Sequence, residues 1–429
     1  MKLLFINQYY WPDTAATSQM MTDLCPRLVR SGHEVHVLCS QGQYARAPGS
    51  PEPPGSSLGN SPANPPGKPS ATTSPKYEIK DGVHIHRVRA TGFGKKNMIG
   101  RILDYLSFHL IVGSHTLLTG FKYGAIITLT TPPLIGLYAT IVKWITGTKH
   151  ICWVMDLHPD CEFELGVFKR TALLPRILDY LNSMHFRQAD RCVVLGSCMA
   201  SRLKDKQVNP NRLFEIPVWG HQLQDADPTP LRNELGLTSK TIIMYSGNAG
   251  LIHTFDSLCQ AALQLRDDDQ YVFLFVGGGK RIDEITAFAQ KENLTNIIIR
   301  NYFPREQLAQ SLRLADAHLI TLRDGMQGVA VPCKLYGIMA ATKPSIFIGP
   351  QNCETANTLQ KYDAGITLDT HDVPGLVDAI KSLNHTPDTW LTRGQNAYKG
   401  YQAEYNADHC AQKWFDLIYE IDPKVSKHT

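Results

Sequence analysis

The feature that most constrains the fold is a double series of short apolar segments alternating with amphipathic ones. Segments such as "YVFLFV" are apolar at every position, which is typical of parallel strands covered on both faces. Strands that alternate with helices predict α/β units, and a polar stretch between the two series interrupts the pattern. The sequence therefore predicts an α/β fold of two doubly wound, Rossmann-like domains facing a cleft.

A chain of 429 residues is too long for one hydrophobic core, which agrees with two domains. We expect a first domain at residues 1–222, a second at 223–400, and a C-terminal helix at 401–429 that returns to the first domain. From 45 to 75 the chain is dominated by Pro, Gly, Ser, Ala and Asn. This composition cannot bury enough apolar surface to order itself, so a flexible insertion is predicted.

Composition excludes several classes of protein. A net charge of +4 is far below the basic excess of nucleic-acid-binding proteins, so no nucleic-acid partner is expected. The ten cysteines form no CxxC pair, which argues against a zinc site or disulfide framework and for a reducing cytoplasm. The apolar run in "MKLLFIN" is too short for a signal peptide, and no run approaches the ~18–20 residues of a membrane span.

The stretch "SGNAGLIHTF" links a predicted strand to a predicted helix through glycines. Glycines let the backbone approach a phosphate, and a helix N-terminus offers free N–H groups. Gly247, Asn248 and His253 are therefore candidate anion ligands. A simple tight turn with a surface histidine is the structural alternative.

A second loop, "GMQGVAVPCK", contains Gly328 and places Lys334 in the first turn of a predicted helix. The helix dipole opposes a cation there unless an anion lies between them, so a bound diphosphate is expected. A solvated lysine is the alternative. Gly278 in "VGGGK" is expected to pack beside a nucleotide base, without the GxGxxG spacing of NAD sites. Glu354 is expected either to accept sugar hydroxyls or to cap a helix.

Two stretches of the first series place polar residues after predicted strands. "YYWPDTAATS" offers aromatic faces and short polar groups, which suit a sugar. Its candidate contacts are Tyr10, Asp13, Thr14 and Thr17. "VMDLHPD" gathers Asp156, His158 and Asp160, and three titratable groups at the end of a strand are a candidate site. A capped turn is the alternative there.

Together with "HRVRATGFGKKNMIGRILDYLSF", "TTPPLI" and "VPCKLYGIMAATKPSIFIG", these stretches give the chain a family resemblance. It is similar to family 4 glycosyltransferases with the GT-B fold, in the WbuB-like branch of bacterial envelope and exopolysaccharide transferases. The resemblance spans nearly the whole chain except 45–75. It implies a UDP- or GDP-sugar donor in the C-terminal domain and a glycan or lipid-linked acceptor in the N-terminal domain. It also implies retaining transfer without a metal or other cofactor.

The chain departs from the family pattern at the donor site. Family members place an arginine and a lysine where this chain has Asn248 and His253, so Lys334 is expected to neutralise the diphosphate. They also place two glutamates where Val329 and Gly337 stand here.

Glu354 is therefore expected to substitute as the ribose contact. Asp156 and His158 are expected to position the sugar or the acceptor hydroxyl as the candidate catalytic residues. A nucleotide-sugar epimerase and a non-catalytic carbohydrate-binding relative are the alternative functions.

The helix-like stretch "GFGKKNMIGRILDYLSFHLI" combines basic residues with an apolar stripe. The stripe consists of Ile99, Ile102, Leu103, Leu106 and Leu110. Its spacing would allow it to lie on an anionic bilayer. The favoured interpretation is that the stripe faces the domain core and only the basic turn, with Lys95, Lys96 and Arg101, meets phospholipid.

Overall fold

The computed structural model describes residues 1–13, 15–41, 75–89, 91 and 98–422, without the side chains of residues 98, 99, 101 and 102. The candidate Thr14, the predicted insertion up to residue 74, Lys95, Lys96 and the side chain of Arg101 lie outside what is described.

Contacts within the chain divide it into two compact units. Unit 1 comprises Met1–Trp153, Gln188–Asp190 and Ile421–Thr429, and unit 2 comprises Val154–Arg187 and Arg191–Glu420. The domain limits predicted at residues 222 and 400 stay predictions.

Unit 1 is built on strands that are hydrogen-bonded in the order β3-β4-β2-β1-β5-β6. These strands are β1 (Lys2–Ile6), β2 (Glu34–Ser40), β3 (Tyr77–Lys80), β4 (Val83–Val88), β5 (Ala125–Leu129) and β6 (Lys149–Trp153). The helices are α1 (Ala16–Arg30), α2 (Met98–Thr119) and α3 (Gly136–Thr146), with a 3₁₀ turn at Gly120–Lys122. Apart from β3, neighbouring strands are parallel, and Leu4 of β1 is opposite His36 of β2.

The hairpin of β3 and β4 adds an antiparallel edge to an otherwise parallel arrangement, which the alternation pattern did not predict. Its two-residue turn is Asp81–Gly82, and both residues have positive φ, at 52° and 78°. Asp-Gly between two strands is a strong hairpin signal because such a turn requires two positive φ angles. The sequence therefore contained the information for this strand.

Helix α2 buries a different face from the one favoured by sequence. Leu103, Leu106 and Leu110 are 44%, 54% and 72% exposed, whereas Phe108 and Val112 are fully buried. The interpretation that the stripe faces the core is therefore wrong for its described members. The helix is apolar on more than one side, so spacing alone did not determine which side packs on the sheet.

Unit 2 contains a parallel pair, β7 (Arg191–Val194) and β8 (Leu213–Glu215), and a parallel sheet of six strands. The six are β9 (Thr241–Ser246), β10 (Tyr271–Val276), β11 (Ile297–Arg300), β12 (Ala317–Thr321), β13 (Ser345–Ile348) and β14 (Gly365–Leu368). These are the six strands that the second series predicts.

Helices and turns connect these strands. The helices are α4 (Asp160–Glu164), α5 (Leu173–Gln188), α6 (Ser197–Asp205), α7 (Thr229–Glu234), α8 (Asp256–Gln264), α9 (Ile282–Lys291), α10 (Leu308–Arg313), α11 (Lys334–Ala340), α12 (Glu354–Tyr362), α13 (Val373–His385), α14 (Pro387–Gly400) and α15 (Ala407–Ile421). Short 3₁₀ turns lie at Pro210–Arg212 and Arg305–Gln307, and a π-helical turn at Tyr401–Tyr405. Among the described residues, none of the helices combines the length and apolarity needed to cross a bilayer.

The order of the six-stranded sheet, β11-β10-β9-β12-β13-β14, fixes where a ligand is expected. The chain winds outward in one direction from β9 and in the other from β12, so the connections diverge between these two strands. In open α/β sheets, ligands bind outside the carboxyl ends of the strands at such a switch point. The loops after Ser246 and Thr321 are therefore the first place to look for a site.

Candidate functional site

The loop after β9 is held in close contact with the loop after β10. The Gly247 N–H donates to the Val276 carbonyl at 2.9 Å, and the Ala249 N–H donates to the Gly278 carbonyl at 2.7 Å. Gly277 has a φ of 136°, and a Cβ built on it would lie 2.3 Å from the Gly247 carbonyl oxygen. Only glycine permits this approach, so the glycines shape a tight double turn at the switch point.

Lys334, the first residue of α11, points its ammonium at this double turn. Its Nζ lies 3.4 Å from the centroid of the Tyr245 ring, and a Cβ built on Gly247 would lie 3.4 Å from the same atom. The Nζ is buried and has no hydrogen-bond partner among the described residues. Burial lowers the pKa of Lys334 to about 7. An unpaired buried cation is costly, and an anion at the glycine turn would remove that cost.

His253 lies beneath the same turn and is neutral. Its Nδ1 is 2.6 Å from the Thr321 carbonyl oxygen, which makes Nδ1 the protonated nitrogen. Burial, with the nearby charge of Lys334, lowers the pKa of His253 to about 3. The ring therefore adds no positive charge at neutral pH. Asn248 is exposed, and its carbonyl accepts from the Tyr245 hydroxyl at 3.0 Å.

The loop after β12 is fixed from several sides. Gly328 has a φ of 71°, and a Cβ on it would lie 2.4 Å from the Cys198 carbonyl oxygen. Arg202 donates to the carbonyls of Gln327 and Gly325, at 3.1 and 2.8 Å. This packing holds the loop backbone in a conformation that a larger residue at 328 would disturb.

Val329 connects this loop to the candidate catalytic segment. Its side chain is fully buried, and its carbonyl accepts from the Leu157 N–H at 2.9 Å. Leu157 stands between Asp156 and His158, so the structure brings these candidates to the loop that leads to Lys334. The sequence alone could not show this proximity, because the segments are more than 170 residues apart.

His158 and Asp156 differ in their electrostatics. The His158 Nδ1 lies 2.8 Å from Glu162 Oε1. Burial alone would lower the pKa of His158, but the hydrogen bond and charge of Glu162, with the charges of Asp156 and Asp160, raise it. Burial raises the pKa of Asp156, opposed by His158 and reinforced by Glu162. His158 therefore keeps its proton to higher pH than usual, and the carboxyl group of Asp156 ionises less readily than usual.

Glu354 begins α12 and contacts the start of α6. Its Oε2 accepts from the Ser197 N–H at 3.2 Å, and a Cβ on Gly196 would lie 2.1 Å from the same oxygen. Burial raises the pKa of Glu354, and the charge of Glu215 adds to this. The carboxyl group therefore caps a helix in this structure, and its ribose contact stays a prediction.

The sugar-contact candidates of unit 1 are bonded within their own turn. Asp13 Oδ1 accepts from the Ala15 N–H at 2.7 Å, and Thr17 Oγ1 accepts from Asn7 Nδ2 at 3.2 Å. Tyr10 is 6% exposed, and burial raises its pKa. These groups shape the segment between β1 and α1.

Two residues near the site were not selected from the sequence. Tyr245 carries Lys334 on its ring face, and Arg202 anchors the loop after β12. Tyr245 stands two residues before Gly247 in an apolar strand, where an aromatic residue looks like ordinary core. The only feature of the sequence that pointed to Tyr245 as a site residue was its position close to these glycines.

The chain is similar to known glycosyltransferases in sequence and in fold. A family model described as a glycosyl transferase 4-like domain matches residues 16–219. The probable glycosyltransferase WbjE of Pseudomonas aeruginosa is 27% identical over 284 residues, which cover 63% of this chain and 70% of that protein. The putative colanic acid biosynthesis glycosyl transferase WcaI of Escherichia coli is 23% identical over 249 residues, which cover 55% of this chain and 60% of that protein.

The fold matches solved structures over nearly its whole length. The crystal structure of HepE from Anabaena in complex with UDP has a TM-score of 0.69 and 11% identity, and covers 98% of this chain and 100% of that one. HepE structures with UDP and glucose and with UDP-glucose match similarly, with TM-scores of 0.68 and 0.67. The WbuB-like branch stays a prediction. The chain is therefore similar to known glycosyltransferases, with a match to a glycosyl transferase 4-like domain at residues 16–219, and its fold is the GT-B fold.

Proposed function

We propose that the enzyme transfers a sugar from a nucleotide-sugar donor to a glycan or lipid-linked acceptor in cell-envelope polysaccharide synthesis. The transfer retains the anomeric configuration and uses no metal or other cofactor. The envelope role is supported by WcaI, which is named for colanic acid biosynthesis. UDP is favoured over GDP as the donor nucleotide because HepE crystallises with UDP and UDP-glucose.

The observation that carries the proposal is the unpaired ammonium of Lys334 at the glycine turn. Departure of a nucleoside diphosphate builds negative charge, and a preorganised cation with backbone N–H donors stabilises that charge. Because His253 is neutral, Lys334 supplies the positive charge that the family takes from an arginine and a lysine. Binding of the diphosphate in turn restores the usual protonation of Lys334.

Retention follows if the acceptor hydroxyl attacks from the face that the diphosphate leaves. Such attack needs no protein nucleophile, and the departing phosphate oxygens can take the hydroxyl proton. Asp156 and His158 position the sugar or the acceptor hydroxyl in this scheme. The raised pKa of His158 keeps a proton available there for a hydrogen bond to a sugar oxygen.

The remaining donor contacts come from the backbone and from Glu354. Gly247, Asn248, Gly278 and Gly328 allow close approach of the backbone to the nucleotide, and Val329, whose N–H donates to the Met326 carbonyl at 3.0 Å, holds the loop after β12 in place. Glu354 accepts the ribose hydroxyls once it releases Ser197. The acceptor lies against the segment with Tyr10, Asp13, Thr14 and Thr17.

A lipid-linked acceptor fits the exposed apolar surface of unit 1. Leu106, Leu110 and Leu118 of α2 are 54%, 72% and 72% exposed, and Trp144 and Ile145 of α3 are 57% and 76% exposed. Large exposed apolar groups mark interaction surfaces, and a bilayer interface accepts them without shape complementarity. The enzyme then works in the cytoplasm, at the inner face of an anionic membrane.

The first test is ligand-induced thermal stabilisation with UDP, GDP and UDP-glucose. At about 100 times its dissociation constant, the true donor nucleotide stabilises the fold by about 2.7 kcal/mol. Lys334→Ala removes the shift, whereas Lys361→Ala, which changes an exposed lysine on α12, keeps it. Absence of any shift in the wild-type enzyme would contradict the donor site.

The membrane contact has its own test, co-sedimentation with vesicles of phosphatidylglycerol and phosphatidylethanolamine. Leu110→Glu is expected to lower the bound fraction while the UDP-induced shift stays the same. An unchanged bound fraction would remove the membrane from the proposal and leave sugar transfer intact.

A further inference from the structure

A cluster of histidines lies at the edge of unit 1 where the parallel strands begin. His36 of β2 stands opposite Leu4 of β1 and His84 of β4 in the strand register. The segment with Asp13 follows the other end of β1. The cluster therefore lies at the amino ends of the strands, away from the residues assigned to the acceptor.

Three of its side chains bring ligand atoms close to one another. Glu34 and His36 are two residues apart on β2, so both project from the same face of the sheet. The rings of His36 and His84 stack with centroids 4.5 Å apart and planes inclined by 12°. The ligand atoms of Glu34, His36 and His84 all lie within 4.8 Å of one another.

The second nitrogen of each imidazole has its own partner. His36 Nδ1 lies 3.0 Å from His86 Nε2, and His84 Nδ1 lies 2.8 Å from the Tyr77 hydroxyl. With both Nδ1 atoms engaged in this way, Nε2 is the ring nitrogen that each histidine offers to a ligand. Metal-binding histidines have this arrangement, because an outer partner fixes the ring orientation and the tautomer.

We propose that Glu34, His36 and His84 bind a divalent transition metal ion of the zinc type, with water in a fourth position. Two imidazoles and a carboxylate are ligands that zinc accepts, and neutral imidazole suits zinc, copper and nickel alike. His36 is buried, whereas Glu34 is exposed, so the ion has a route from solvent. The bound ion joins β2 to β4, which are separated by more than 40 residues of chain, and stabilises unit 1.

One neighbouring group competes with the metal. Lys2 Nζ lies 2.8 Å from Glu34 Oε1, the oxygen that also faces His36 Nε2. The ion displaces this ammonium when it binds. Lys2→Gln is therefore expected to tighten metal binding.

The test is calorimetric titration of Zn²⁺ into the full chain, prepared without a polyhistidine tag and stripped with a chelator. The expected result is one ion per chain. Tyr77→Phe, which removes an outer partner, weakens binding by about tenfold, and His84→Gln, which removes a ligand, weakens it further. His409→Gln, which changes an exposed histidine of α15, is the matched control and leaves binding unchanged.

Co²⁺ provides a spectroscopic check because the site contains nitrogen and oxygen ligands only. The Co²⁺ complex is expected to show visible d–d bands without the intense near-ultraviolet absorption of a thiolate complex. Three outcomes would overturn the proposal: no stoichiometric binding, equal binding by the His84→Gln and His409→Gln variants, or a thiolate spectrum. None of these readouts depends on sugar transfer.

Discussion

The acceptor segment of unit 1 and the donor loops of unit 2 differ in whether their polar side chains have hydrogen-bond partners. Asp13 and Thr17 hydrogen-bond to neighbours within the turn between β1 and α1. Lys334 instead keeps a buried ammonium without a hydrogen-bond partner among the described residues. Hydrogen-bonded polar groups stabilise a fold by themselves, whereas a buried ammonium without a hydrogen-bond partner calls for an explanation, and a bound anion is one that fits here. The donor assignment therefore has structural support that the acceptor assignment lacks.

The largest expected effect is on turnover in Lys334→Ala. Removing one preorganised donor at a developing oxyanion costs about 10²–10³ in rate, so UDP release from UDP-glucose should fall by at least a hundredfold. Lys334→Met is the matched variant, because it keeps the volume of the side chain and removes only the charge.

Lys334→Met is also expected to raise the melting temperature of the ligand-free enzyme, since an unpaired buried cation is lost. Lys361→Ala serves as the control for both measurements. Turnover at the wild-type level in either Lys334 variant would contradict the central part of the donor site.

The second effect is proton uptake when UDP binds. The pKa of Lys334 is about 7 because of burial, so most of this side chain is neutral at pH 8 in the free enzyme. A diphosphate favours the charged form and raises this pKa, so binding takes up roughly one proton per chain at pH 8. The affinity for UDP should fall as pH rises above 7.

Titration calorimetry in buffers of different ionisation enthalpy measures this uptake. At pH 6 Lys334 of the ligand-free enzyme is already charged, so the proton uptake on UDP binding should be small. The Lys334→Met variant should show no uptake at either pH. Uptake that persists in this variant would assign the proton to another group.

The features that were predictable from the sequence are local, and those that were not depend on residues far apart in the chain. All six strands of the second series were predicted, because each contains a short apolar run, which is clearest in β10. The contact of Lys334 with Tyr245 was not predictable, because it depends on β9 and β12 being neighbours in the sheet. The same is true of Glu354 and Ser197, which are 157 residues apart. The buried face of α2 was wrongly predicted because that helix is apolar on more than one side.

The third effect is on stability and concerns the loop after β12. Gly328→Ala places a Cβ in a left-handed conformation and 2.4 Å from the Cys198 carbonyl oxygen. Gly147→Ala is the matched control, because Gly147 also has a positive φ, 77°, but nothing lies within 4 Å of its added Cβ. Both variants lose about 1–2 kcal/mol from backbone strain, and Gly328→Ala loses roughly 1–3 kcal/mol more from overpacking. Equal losses in urea denaturation would mean that the loop is not held by this contact.

The smallest expected effect distinguishes two roles for Asp13, which are shaping its own turn and contacting the acceptor sugar. The Asp13→Asn variant keeps an oxygen that can accept from the Ala15 N–H, so its thermal unfolding should match that of the wild type. Asp13→Ala loses the bond and about 1 kcal/mol. If Asp13 only shapes its turn, the Asn variant also keeps the wild-type KM for acceptor. If the carboxylate contacts the acceptor sugar, KM rises in the Asn variant although its stability does not change. The second result would give the acceptor segment a ligand contact like the one proposed for Lys334, and the first would leave its polar groups as parts of the fold.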